Sequence, residues 1–401
     1  MVKDQFKWRC EFVYYVTLFI YLILLFIPQT ELRVSISSTV DKLLQIARYG
    51  CYLLFVLKIA MTHFYRRSFL LSALFCFACI MLCVLMSSQN KLLFFTMAII
   101  AAYDCDAYRT LNTATIAYTL GLCVTLLLCA VGVFQNQILD ASRGRYNLGF
   151  NWVTLAPIYF LFISMGYTIW RDEKITWIEI ILLELFAVLL YKATDTRLAF
   201  LINTVYLLII LVQRCIFKFS WHILHSLGIW VCALPAAVFL GVLVVQILYT
   251  PGSPMWDQLN SMLSGRLSLG EKNFNALPVT LFGQVIEWKG FSLGEGLLTI
   301  DETYAYNNVD CSYLRILFDY GVVGLLLTLW VYTLGIYHAF KENASLLVWA
   351  YMIVLVFCIT EQWMMELAFN PLPLLALAEV KQRNILQQAA ERRTKIIFHH
   401  G

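Results

Sequence analysis

Long apolar runs alternate with short polar breaks along almost the whole chain, and each run is close to the 20 or so residues a helix needs to cross a bilayer. The pattern predicts helices near 11–27, 43–62, 68–86, 92–102, 111–134, 152–170, 175–191, 198–213, 226–248, 313–336, 345–360 and 370–380. The fourth and twelfth runs are so short that they suit a re-entrant or broken segment better than a full crossing. The expected fold class is therefore an all-α polytopic integral membrane protein, with about 12 transmembrane helices and a large extracytoplasmic loop between the ninth and tenth.

Composition agrees. With 61% hydrophobic and 13% charged residues and a mean hydropathy of +0.74, a soluble globular enzyme is excluded. Little chain is left for an independent soluble domain, so any chemistry sits on loops or between helices. The net charge of +4 is spread between apolar runs and leaves no nucleic-acid footprint. Most of the twelve cysteines, among them Cys76, Cys79, Cys83, Cys123, Cys129, Cys232 and Cys358, lie inside apolar runs and read as helix-packing residues. Cys311 stands alone in the long polar loop, which therefore has no internal disulfide. The first run follows Lys3, Lys7 and Arg9 and leads into further runs with no small-residue cleavage site, so it reads as a retained helix.

An even number of crossings puts both termini on one side, and that side collects the larger share of Lys and Arg, from Lys3, Lys7 and Arg9 to Arg392, Arg393 and Lys395. By the positive-inside rule both termini are cytoplasmic, including the tail 381–401. The domains follow: residues 1–249 form nine helices with a short outer loop at 135–151, residues 250–312 form the large outer loop, and 313–380 return as three more helices. The long loop carries too many apolar and aromatic residues for simple disorder and is expected to fold over the outer mouth.

The same rule makes arginine unfavourable in short outer connections, yet Arg143, Arg145 and Arg197 occur there. Guanidinium recognises phosphate bidentately without losing its proton, so converging arginines form a diphosphate site; singly, each also suits a headgroup contact or an ion pair with Asp140, Asp195 or Glu271. In KATDTRLAFLI, Thr194 or Asp195 is placed to cap the helix that follows, whereas Arg197 has no such structural reason. Within the large loop, MWDQLNSMLSGRLSLGEKNFNALPVTLFG predicts one short helix ending near Gly265 and a second ending before Pro278, with Arg266 held at the turn.

The loop closes with YAYNNVDCSYLRILFDYGVVGLLL. Asp310 is a helix cap or a general base. Asn308, Tyr313 and Arg315 surround it in sequence as candidate substrate-binding residues, and Gly321 and Gly324 form a small-xx-small pair that admits a neighbouring helix. Tyr306, Tyr313, Trp256 and Trp288 are candidates for stacking on sugar rings or for interfacial anchoring. His222 and His225 lack a third ligand, and His399 and His400 are tail residues, so no metal site is expected.

In this combination the chain resembles the O-antigen polymerase and O-antigen ligase superfamily of polytopic bacterial membrane glycosyltransferases. Asp310 and Cys311, nine residues, Gly321, two residues and Gly324 repeat the spacing found at the end of that family's large outer loop. Ser264 to Arg266, the DTRLA stretch around Arg197, and RGRYNLGFNWVTLAP from Arg143 to Pro157 are similar to further family patches, and together they span roughly 143–336. The ligases carry histidine where this chain has Asp310, and the aspartate looks more like the polymerases.

The resemblance implies transfer of a glycan from an undecaprenyl diphosphate-linked oligosaccharide to a sugar hydroxyl of a lipid-linked repeat unit. The reaction takes place outside the bacterial cytoplasmic membrane, without metal, nucleotide sugar or other cofactor. Partners implied are the lipid bilayer and a flippase and chain-length regulator of the same pathway. Arg266 and Arg197 are then the leaving-group stabilisers, Arg143 and Arg145 helpers, and Asp310 the group that activates the acceptor. Two other readings stay open: a ligase moving finished polymer to another acceptor, and a transporter for an anionic lipid or amphiphile.

Overall fold

A computed structural model describes residues 2–32, 38–63, 67–140, 143–215, 219–289 and 307–380. Tyr306, Arg33 and the tail 381–401 with its histidines lie outside the described residues. Long helices appear where the apolar runs predict them: α1 (Val2–Phe26), α2 (Ser38–His63), α3 (Arg67–Ser87), the short α4 (Lys91–Ala101), α5 (Ala107–Ala130), α6 (Leu155–Arg171), α7 (Trp177–Thr194) and α8 (Arg197–Cys215). The ninth run is broken into α9 (Phe219–Leu227), a 3-10 turn over Gly228–Ala233, and α10 (Leu234–Leu248). The chain then forms α11 (Pro254–Met262), α12 (Arg266–Ala276), α13 (Ser312–Lys341) and α14 (Ser345–Phe357).

Among the described residues, six helices or helix-containing stretches are long and apolar enough to cross a membrane: Lys7–Gln29, Thr39–Thr62, Ala107–Ala130, Arg197–Cys215, Ile223–Leu248 and Ser312–Lys341. Their outer surfaces are apolar. Leu53, Leu120, Leu201, Ile247 and Leu326 are exposed on them, a surface that suits hydrocarbon better than water and suggests a membrane protein. The inside of the bundle is built on α6, buried along nearly its whole length, with α5, α8 and α14 against it and α13 packed on α14.

The last predicted helix does not form. Over 370–380 only a four-residue 3-10 turn, Leu372–Leu375, is present. Pro371 and Pro373 remove two backbone donors and clash with a continuing helix, which explains the break. The stretch nevertheless runs from one end of the bundle to the other. Glu366 pairs with Lys91 at the start of α4, whereas Glu379 pairs with Lys7 of α1 at 3.4 Å and its backbone bridges to Cys105 and Ala107.

Non-helical backbone in hydrocarbon must find its hydrogen bonds inside the protein, and tyrosines from the neighbouring helices supply them. Tyr118 donates to Leu367 O at 2.6 Å, Tyr332 to Met364 O at 2.9 Å and Tyr351 to Leu372 O at 2.8 Å. Asn370 Nδ2 donates to the Tyr332 hydroxyl at 2.7 Å. Tyr332→Phe removes a shared donor and acceptor from this buried network and is expected to cost about 1–3 kcal/mol. Thermal unfolding in detergent checks it, and a variant as stable as the parent would show that the hydroxyl carries no such burden.

At the Glu366 end, residues 135–151 form a small antiparallel hairpin, β1 (Ile138–Asp140) and β2 (Arg145–Tyr146). It is tied to the turn after α1: Asn151 donates through its backbone to Gln29 O and through Nδ2 to Pro28 O, and Glu31 N donates to Gly149 O. The two short helices expected in the long loop, α11 and α12, pack at the same end. Gln246 of α10 donates to Leu267 O at 2.9 Å, which seats α12 on the bundle.

Candidate functional site

The polar residues of this end fall into two neighbouring groups. The first is centred on Arg266, the opening residue of α12. Gly265 just before it adopts a left-handed backbone (φ +81°), so the chain turns sharply there and aims the guanidinium inward. Its Nη2 lies 3.6 Å from Asp310 Oδ2 and 3.4 Å from Glu361 Oε1, and Nη1 donates to Leu263 O at 3.3 Å. The buried Nε has no hydrogen-bond partner among the described residues.

Asp310 does not cap α13; Cys311 occupies that position without a side-chain bond. Instead Asp310 Oδ1 accepts from Asn308 Nδ2 at 2.9 Å. Arginine neighbours and burial oppose each other at this carboxyl, and burial prevails: its pKa is raised, with Arg266, the Asn308 hydrogen bond and Arg315 only moderating the shift. Glu361 is pushed up to about 7, first by burial and also by the charge of Asp310, against the attraction of Arg266 and Arg145. Asp310 and Glu361 thus set two carboxyls, both with raised pKa values, against one guanidinium. The Glu361 backbone is held by Ser312, whose hydroxyl donates to Glu361 O at 2.5 Å and accepts from Met364 N at 3.2 Å.

Arg315 is consumed by a clamp behind the pair. Its Nε donates to Asp319 Oδ2 at 2.8 Å and its Nη1 to Asn308 Oδ1 at 2.6 Å, while the guanidinium lies 4.1 Å from the Trp288 ring centre. Trp288 Nε1 donates to the same Asp319, at 2.6 Å. Trp288 is thus a stacking partner of an arginine, and Arg315 orients Asn308, which orients Asp310. Tyr313, expected among the substrate-binding residues, is fully buried with its hydroxyl donating to Leu355 O at 2.8 Å. On the first turn of α13 its ring faces the core, which removes it from any sugar.

The second group surrounds Asp195. That residue ends α7 in a left-handed conformation (φ +43°) instead of capping α8, its N–H donating to Tyr191 O. Its carboxylate accepts from Arg143 Nε at 2.8 Å and pairs with Arg197 Nε at 3.3 Å. Partial burial pushes its pKa up, but these two arginines outweigh it and hold it below the usual range. Arg197 is accordingly placed with Arg143, not at the Asp310 carboxylate, and its side chain is 74% exposed. Proximity in sequence decides this: a guanidinium two residues from an aspartate at a helix junction finds it first. Arg145 lies between the groups, donating to Thr194 O at 2.7 Å and to Thr196 Oγ1 at 3.3 Å while acting on Glu361 through its charge.

Gly321 is not a seat for another helix. Its backbone (φ +68°, ψ −170°) breaks α13, and the loop segment 280–283 enters the break, with Val322 N donating to Thr280 O and Val323 N to Leu281 O, both at 3.0 Å. A Cβ at Gly321 would lie 2.5 Å from Gly283 N. The glycine spacing therefore serves to join the long loop to the helix that carries Asp310's neighbours. Among the described residues no cluster of His, Cys, Asp and Glu is arranged to hold a metal. Sequence reasoning missed Glu361, Asp319, Gln362, which accepts from Arg315 Nη1 at 3.4 Å, and Gln89, which donates to Asp319 Oδ1 at 3.3 Å; the signal for Glu361 and Gln362 was the polar triplet with Thr360 interrupting an apolar run. No family model, curated protein or solved structure matches the chain.

Proposed function

We propose that the chain is a membrane glycosyltransferase that lengthens a polysaccharide, moving glycan from an undecaprenyl diphosphate-linked donor to the non-reducing-end hydroxyl of a lipid-linked repeat unit. The bundle would cross the bacterial cytoplasmic membrane about a dozen times, with the Arg266 end facing outward and both termini inside. The observation that carries the reading is Arg266: a guanidinium with a buried, unpartnered N–H, set against two carboxyls whose pKa values burial raises.

In this mechanism the acceptor oxygen attacks the anomeric carbon and the anomeric carbon–phosphate oxygen bond breaks. The electron pair leaves on the diphosphate, which Arg266 stabilises, and the hydroxyl proton passes to the Asp310–Glu361 pair. Arg145 adds positive charge from the side, and Arg143 and Arg197 line the rim. Glu361 in its ionised form, populated as pH passes through about 7, accepts that proton.

Detergent-purified protein given only carrier-linked repeat units is expected to build longer carrier-linked chains with no second acceptor and no membrane gradient. Failure to lengthen them without a second acceptor would favour a ligase, and failure with any acceptor would overturn the enzyme reading. The pH profile follows from Glu361. A raised acid is protonated below its pKa, so the rate should climb as pH passes through about 7, and Glu361→Gln should abolish that limb. An unchanged limb in the variant would remove Glu361 from the chemistry.

A further inference from the structure

Away from the Arg266 site, a cavity of about 270 Å³ opens between α1, α2 and α4. Its walls are aromatic: Tyr21, Tyr49, Tyr52 and Phe94, the last two stacked at 3.7 Å with ring planes 3° apart. Three charged residues line it, Arg48, Lys91 and Glu366. Lys91 and Glu366 satisfy each other across the mouth. Arg48 is different. It sits nine residues into the span Thr39–Thr62, a rise of about 13 Å along a helix. Its one hydrogen bond among the described residues runs from Nε to Leu44 O at 3.4 Å, on its own helix one turn toward Ser38.

A guanidinium facing an aromatic cleft in an apolar bundle, with no carboxylate bonded to it among the described residues, is a candidate ligand site. Further along the same helix the fully buried Lys58 has its partner, donating to Tyr103 O, whereas Arg48 is half-buried at the cleft. Since the Lys91–Glu366 pair is neutral, the cleft carries one net positive charge among aromatic walls. That combination fits an anion carried on hydrocarbon. A second cavity of about 430 Å³ adjoins at Phe95, which lines both, and its other walls, including Ile80, Leu92, Ile99, Val331 and Leu334, carry no charge.

We propose that this cleft binds a membrane lipid through its phosphate, the phosphate oxygens on Arg48 with the aromatic rings below, and the chain running into the apolar cavity past Phe95. The occupant is a lipid-borne phosphate, not free phosphate, because the charged cleft adjoins an uncharged apolar cavity that suits a hydrocarbon chain and offers free phosphate nothing. Under the polymerase reading the cleft is where the acceptor's carrier phosphate docks. That role rests on the reading; the binding does not.

The test is native mass spectrometry of the purified full-length protein with undecaprenyl phosphate, with phosphatidylglycerol in a parallel arm and inorganic phosphate as a third. Wild type is expected to retain a lipid phosphate adduct, Arg48→Gln to lose affinity about tenfold or more, and Arg48→Lys to keep most of it. Met365→Trp, which fills the cleft without touching its charge, should also displace the adduct, and this guards against an Arg48 variant that merely folds badly. Preference for the polyprenyl lipid supports the acceptor role, and equal binding of phosphatidylglycerol restricts the site to resident lipid. Wild-type affinity in both Arg48→Gln and Met365→Trp, or an adduct formed equally by inorganic phosphate, would overturn the proposal.

Discussion

Cells carrying Arg266→Ala or Asp310→Ala in place of the parent are expected to lose long polysaccharide while single repeat units accumulate on the lipid carrier. Arg266 touches both members of the raised carboxyl pair. Removing a preorganised donor from the charge that develops in a transition state costs roughly 10²- to 10³-fold in rate. Asp310→Ala acts differently, deleting a proton acceptor and releasing Asn308 from its bond. Asp310→Asn separates the two effects, since it keeps a side chain for Asn308 to engage and loses only the charge. Normal chain lengths in either alanine variant would remove the residue from the mechanism.

Gly321→Ala should be as damaging by another route. The position holds a positive φ that a side chain resists, and an added Cβ would meet the backbone of Leu281 and Gly283. Neither neighbour is a flexible side-chain tip that can swing away. To relieve the contact, the loop 280–283 must leave the break in α13, taking with it the hydrogen bonds from Val322 and Val323. Trp288 follows within the same loop, so the clamp of Arg315, Asp319 and Trp288 should loosen and Asn308 with it. The expected result is protein that unfolds several degrees lower and is inactive, with protease sensitivity concentrated in the long loop. Gly241→Ala provides the contrast, because an added Cβ there meets nothing within 4 Å. Equal stability of Gly321→Ala and the parent would contradict the account of the break.

The helices were legible because hydrocarbon leaves the chain few choices: a run of apolar residues without internal partners for its backbone must become helix. The turn that presents Arg266 was legible too, from SGR before a short amphipathic stretch. What failed were statements that depend on partners far along the chain. Asp195 and Asp310 both precede helices and both resemble caps, yet each carboxylate is taken by an arginine, and nothing local in sequence distinguishes a capping aspartate from a paired one. Arg197 was assigned beside Asp310 for its position in a family-like patch, whereas Asp195, two residues away, claims it.

The segment 361–380 is the clearest case. Its apolar run over 370–380 reads as a short helix, but Pro371 and Pro373 break it, and that Tyr118, Tyr332 and Tyr351 replace the lost backbone bonds is a property of three distant helices. Glu361 was overlooked for the same reason. Alone it is one acid after an apolar run, and only the approach of Arg266 and Asp310 gives it chemistry.

The most direct test of the central claim is an experimental structure of the purified protein with undecaprenyl diphosphate bound. The account predicts diphosphate density within hydrogen-bonding reach of Arg266 Nε, beside Asp310 and Glu361. Density seated elsewhere, with Arg266 still engaged only by its two carboxylates, would contradict it.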